Sequence, residues 1–167
     1  MRNSALLVWP LALALIVAAP GLAGPLAPKK PSDLVTLTRG STPCPLLMGF
    51  FLVDTRLQSD GTSVPFSIPP KSVLVVTGML AASNGGTPGI AGSTIGVGLS
   101  VGATTPIYQT VVADASDAFT AQTSVPSGIV VKSGTNICVV AQDVANPFPT
   151  LETGFGVQVY GFLAKDK

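Results

Sequence analysis

Beyond residue 32 the chain is a succession of short apolar runs separated by Gly, Pro, Ser and Asn, and no run keeps a helical period for three turns. Residues 33–38 alternate, with Val35 and Leu37 on one face, while residues 46–53 are nearly continuously apolar, the pattern of a strand buried on both faces. Residues 64–68 lead through Pro69 and Pro70 into 73–82, the longest apolar stretch of this part of the chain. Further on, Ile95, Val97, Leu99 and Val101 alternate with Gly96, Gly98, Ser100 and Gly102. One face of that strand is aliphatic and the other is bare enough for a second sheet or a ligand to come close. Residues 107–113, 118–124, 128–131, 136–142 and 155–164 complete the set. About eight to ten short strands with turn signals between them predict an all-β chain, an antiparallel β-sandwich of the jelly-roll kind, with a closed barrel as the alternative. Residues 64–72 and 125–133 share Val, Pro, Ile, Lys and Ser at matching offsets. The echo reads either as the openings of two Greek keys or as a turn phrase that recurs by chance.

The first residues follow a different pattern. Arg2 precedes an uncharged apolar run, residues 5–19, and Gly21, Leu22 and Ala23 end it with small residues where a signal peptidase cuts. We expect residues 1–23 to be a signal peptide, 24–32 a Pro-rich leader and 33–167 a single β-sandwich domain. A membrane anchor needs about 20 apolar residues, whereas this run is shorter, contains Pro10 and is followed directly by Pro20. No membrane span is expected after cleavage, and the expected location is secreted, either extracellular or periplasmic.

Removing residues 1–23 takes away one cation, Arg2, of 9 Lys and Arg, so 8 remain against 8 Asp and Glu and the mature chain is formally neutral. Nucleic acid as a partner is excluded on that ground, because holding phosphates takes clustered cations and Lys29 with Lys30 is the only basic pair. Charged residues are only 10% of the chain, against about 25% in ordinary soluble domains. A surface so poor in charge is inclined to associate, and the expected partner is a second copy of the chain.

Candidate chemistry is correspondingly thin. The chain contains no histidine, which removes the commonest general base and metal ligand at neutral pH. Gly98, Ser100 and Gly102 match the Gly-x-Ser-x-Gly elbow, yet the match falls inside an alternating strand and has no histidine to take a proton. Asp114 and Asp117 could be imagined as a glycosidase pair, but acids that end one strand and begin the next account for them. Asp54, Asp60 and Asp143 follow no regular calcium loop. No cofactor, no metal site and no catalytic residue is therefore expected, and the chain is read as not an enzyme. Cys44 and Cys138 are the only cysteines. In an oxidising compartment they are candidates for a disulfide joining an early strand to a late one, with two free buried thiols as the alternative.

Two loops are candidates for partner contact. Residues 83–94 contain four glycines, a costly segment to order, and Asn84, Gly85, Gly86 and Thr87 are its contact candidates if it is more than a spacer. In residues 146–151, Pro147 and Pro149 stiffen a turn carrying Phe148 and Leu151, which either meet a partner or lid the core. Residues 156–163 look like the closing strand of the complement and tumour-necrosis-factor jelly rolls. That likeness implies trimerisation, but the aromatic patterns of those families' earlier strands are missing and no family is assigned. The expected function is a secreted, non-catalytic structural or interaction module that self-associates, possible partners including an extracellular glycan or protein. A carbohydrate-binding module is the alternative, with Tyr108 and Tyr160 as its tyrosines, and a carboxylate-dependent glycan-active enzyme ranks third.

Overall fold

In the computed structural model, residues 27–45, 49–85, 89–146 and 154–166 are described. A 3-10 turn, Pro31–Asp33, precedes ten strands: β1 Leu34–Thr38, β2 Phe51–Leu52, β3 Thr55–Leu57, β4 Ser63–Pro65, β5 Ser72–Asn84, β6 Thr94–Val101, β7 Thr104–Val112, β8 Ala118–Lys132, β9 Ile137–Asp143 and β10 Phe155–Lys165. They pair into a six-stranded sheet of order β4-β3-β1-β10-β5-β8 and a four-stranded sheet of order β2-β9-β6-β7. Every pairing is antiparallel. Setting aside the short β3 and β4, the order β1-β10-β5-β8 against β2-β9-β6-β7 is a jelly roll, so the all-β sandwich expected from the periodicity is the observed fold.

The alternation places the core between the two sheets. Val35 and Leu37 of β1, Met79 and Ala81 of β5, Val157 and Val159 of β10 and Ile95, Val97 and Leu99 of β6 all belong to one apolar cluster. Each of these side chains larger than alanine contributes about 1.5–3 kcal/mol by leaving water, and a one-residue slip of any strand would turn its row outward.

Several expected boundaries differ. The run at 46–53 does not form one buried strand: strand pairing is confined to Phe51–Leu52, and residues 46–48 lie outside the described part. Residues 118–124 and 128–131 belong to a single strand, β8, with residues 125–128 bulging opposite Thr77, where pairing with β5 jumps from Gly78↔Ser124 to Val76↔Ile129. Gly128 takes φ +69°, and a Cβ there would overlap Cγ1 of Val75, so a glycine is required at this close approach. The echo is not a structural repeat. Its first copy spans β4 and the loop before β5, and its second lies in the bulged end of β8.

Candidate functional site

On the six-stranded sheet, the residues alternating with the core face outward and register into rows across four strands. One row is Thr38, Gln158, Leu80 and Gln122, and the next is Thr36, Tyr160, Gly78 and Ser124. The third is wholly apolar: Leu34 pairs with Phe162, Phe162 with Val75 and Val75 with Val130. Leu34 is 54% exposed and Val130 46%, while Val75 between them is 3% exposed and lies outside the core cluster. None of these twelve positions carries an ionisable acid or base other than the Tyr160 phenol. The Tyr160 hydroxyl donates to Oε1 of Gln158 at 2.6 Å.

At the Asn84 end of this face lies an open concavity of about 660 Å³, lined by Thr38, Arg39, Leu80, Ala82, Asn84 and Gln158 together with Gly154, Gly156 and Val157. Arg39 closes it on one side. Its guanidinium carbon sits 4.7 Å from the Phe51 ring centroid and 4.6 Å from that of Phe155, and its Nε donates to the Phe155 carbonyl oxygen at 3.0 Å. Burial lowers the Arg39 pKa from its ordinary value, although a guanidinium stays charged at neutral pH. The described lining offers hydrogen bonds, apolar contact and one cation, and it holds no carboxylate, thiol or histidine.

The contact candidates divide. Asn84 is exposed at the end of β5 and lines the concavity, and Gly85 follows it, half-buried. Gly86, Thr87, Phe148 and Leu151 lie outside the described residues, as does the whole of 1–23. The second half of the 83–94 loop is not a loose spacer. Ile90 is buried in the core cluster, and Oδ1 of Asp117 accepts the amides of Ile90 and Ala91 at 2.8 and 2.6 Å. Sequence reasoning missed this clasp, for which the isolated Ile90 in a glycine-rich segment was the only signal.

The other acids are turn residues. Asp114 accepts from the amide and hydroxyl of Ser116 and the amide of Ala118, and these bonds, the Ser116 hydroxyl foremost, hold its carboxyl below the ordinary value. A general acid requires the opposite shift. Asp143 is lowered chiefly by the Ala145 amide and then by the Ser93 hydroxyl, and Asp60 by the Thr62 hydroxyl and amide. No group of three or more metal-ligating side chains occurs among the described residues. Ser100 is buried near the end of β6, just before the hairpin into β7, with its Oγ 2.8 Å from that of Thr105, so no strand-to-helix elbow presents it.

On the outer face of the four-stranded sheet, the bare stripe of β6 is already filled. The ring of Tyr108, whose residue pairs with Gly98, leans across to Gly96: a Cβ on Gly96 would overlap its hydroxyl, and one on Gly98 would stand 3.3 Å from its Cδ2. The approach expected from another sheet or a ligand is thus made by the chain's own tyrosine, which remains 53% exposed. Nearby, Cys138 points away from the core and forms a disulfide with Cys44, as the cysteine pattern anticipated. It ties the hairpin that ends in the two-residue β2 to β9.

No known protein family matches the sequence, and no match is found among curated proteins. Among solved structures the fold is similar to the PRD1 vertex protein P5, at 12% identity and a TM-score of 0.42, covering 81% of this chain and 98% of that one. No described helix is long and apolar enough to cross a membrane.

Proposed function

We propose that this protein is a secreted, non-catalytic β-sandwich that serves as an extracellular structural or interaction module and associates with copies of itself. The observation that carries the reading is the outward row Leu34, Phe162, Val75 and Val130, in which Leu34 and Val130 are exposed, Phe162 is half-buried and Val75 is buried. An antiparallel sheet facing water normally presents polar side chains there, and an apolar row amid uncharged neighbours is the composition of a contact surface. Formal neutrality of residues 24–167 adds no repulsion between copies. The Cys44–Cys138 disulfide supports an oxidising compartment. Light scattering of the mature protein at low and high salt tests the reading. An oligomer indifferent to salt is expected, because screening acts on charge pairs and not on buried apolar area. A monomer at micromolar concentration in both conditions overturns it.

One observation favours carbohydrate binding as a second reading. Tyr108 offers a half-exposed ring on a sheet face floored by Gly96 and Gly98, the kind of flat aromatic surface on which sugar rings stack. Binding on a glycan array that disappears in Tyr108→Ala would favour this reading over the first.

A further inference from the structure

The two sheets end in four edges, three of which are short or interrupted. Strands β2 and β4 have two and three residues, and β7 carries Pro106. The fourth edge is β8, fifteen residues long, whose one pairing partner among the described strands is β5. Its interrupting devices, Pro126 and the bulge at 125–128, lie in its second half. The first half, 118–124, pairs regularly with β5 and contains no Pro, no Gly and no charge, and its first residue is capped, the Ala118 amide donating to Oδ1 of Asp114 and the Ala118 carbonyl accepting the Asp114 amide. Exposed edges of this length are ordinarily guarded by lysine, proline or a bulge.

We propose, on the self-association reading above, that residues 119–123 are where two copies meet, their β8 edges pairing antiparallel about a two-fold axis at Ala121. The occupant follows from the symmetry of the segment. With Ala121 opposite itself, Thr120 faces Gln122 of the second copy and Phe119 faces Thr123, so outward side chains stay outward and Phe119, Ala121 and Thr123 stay on the core side. Thr120 and Gln122 are exposed and uncharged, so each outward position meets a neutral one, and Thr120 with Gln122 can hydrogen-bond across the ladder. The pairing joins six strands from each copy into one continuous sheet and sets the two uncharged outer faces side by side. An isologous contact of this kind closes at two copies.

The test is the double variant Thr120→Lys/Gln122→Lys beside Thr120→Lys/Gln122→Glu and Leu34→Lys, each measured by sedimentation and thermal melting. The first places lysine opposite lysine and should raise the dimer dissociation constant about tenfold or more, since like charges directly opposite are destabilising. The second places lysine opposite glutamate and should restore the dimer. Amide exchange of the wild-type protein at two concentrations, showing slower exchange at 119–123 in the concentrated sample, would support the edge without any variant. A wild-type monomer removes the self-association reading and the edge with it. Dimers that survive both lysines in a variant melting normally, a trimer, or association lost in Leu34→Lys while the double-lysine variant still dimerises each overturn the edge. Those last three leave self-association standing.

Discussion

Arg39 and Phe155 are joined twice: the guanidinium carbon lies 4.6 Å from the phenyl centroid, and Nε donates at 3.0 Å to the carbonyl oxygen of the same residue. Because Phe51 presents its own ring to the same guanidinium at 4.7 Å, with the two ring centroids 6.4 Å apart and edge-on, the cation fastens the residue after β1 to the start of β10 and to β2. The end of the sandwich that bounds the concavity is thereby held by one side chain from three directions.

Arg39→Ala should therefore lower stability by about 1–2 kcal/mol, the sum expected of two partly buried cation–π contacts and a hydrogen bond. Arg39→Lys should recover only part of the loss, because an ammonium cannot lie between two rings as a planar group does. A double-mutant cycle with Phe51→Leu measures the coupling by denaturant unfolding, and strict additivity would rule the ring contact out.

Reduction of the Cys44–Cys138 bridge, which spans 94 residues, should lower the thermal midpoint, the chain-entropy contribution of so long a loop being about 4–5 kcal/mol. Cys138→Ser should act in the same direction as reductant, and adding reductant to that variant should have no further effect. Melting indifferent to both treatments would refute a stabilising role.

Ser83 is buried beside Phe155 and Phe119 in the neighbouring strands, and its Oγ has no hydrogen-bond partner among the described residues. Ser83→Ala should raise stability by about 1 kcal/mol, because removing a buried hydroxyl that lacks a partner relieves its desolvation cost. A lower midpoint would show that the hydroxyl is satisfied in solution.

The pH profile should be flat from about pH 8 to pH 5, since the chain has no histidine to titrate there. Asp60, Asp114 and Asp143 are each held below the ordinary value by hydrogen bonds. On acidification the unfolded chain takes up protons first, so the stabilisation is complete above the unfolded carboxyl value of about 3.9 and is lost as pH falls through the lower folded values. Thermal melting below about pH 4 should show this fall, and Asp114→Ala should make it shallower. An unchanged slope in that variant would mean the turn bonds do not persist in solution.

Strand positions were legible where burial is one-sided. The alternation of Ile95, Val97 and Leu99 or of Val35 and Leu37 specifies a strand and its inward face, because a pleated backbone sends successive side chains to opposite sides. The absence of histidine, the scarcity of charge and the cysteine pair likewise belong to the chain as written, and they already directed attention away from acid-base chemistry and toward contact surfaces. Three features depend on which strands become neighbours. The row from Leu34 to Val130 joins residues 96 positions apart that share a face only through the pairings of β1 with β10, β10 with β5 and β5 with β8. The glycine stripe of β6 is covered because β7 brings Tyr108 beside it, and the clasp of Asp117 on Ile90 spans 27 positions across a corner of the sandwich. Local periodicity determines the direction in which a side chain points, whereas what it meets there is decided by registers and crossovers that are long-range in sequence and are selected by the packing of the whole core.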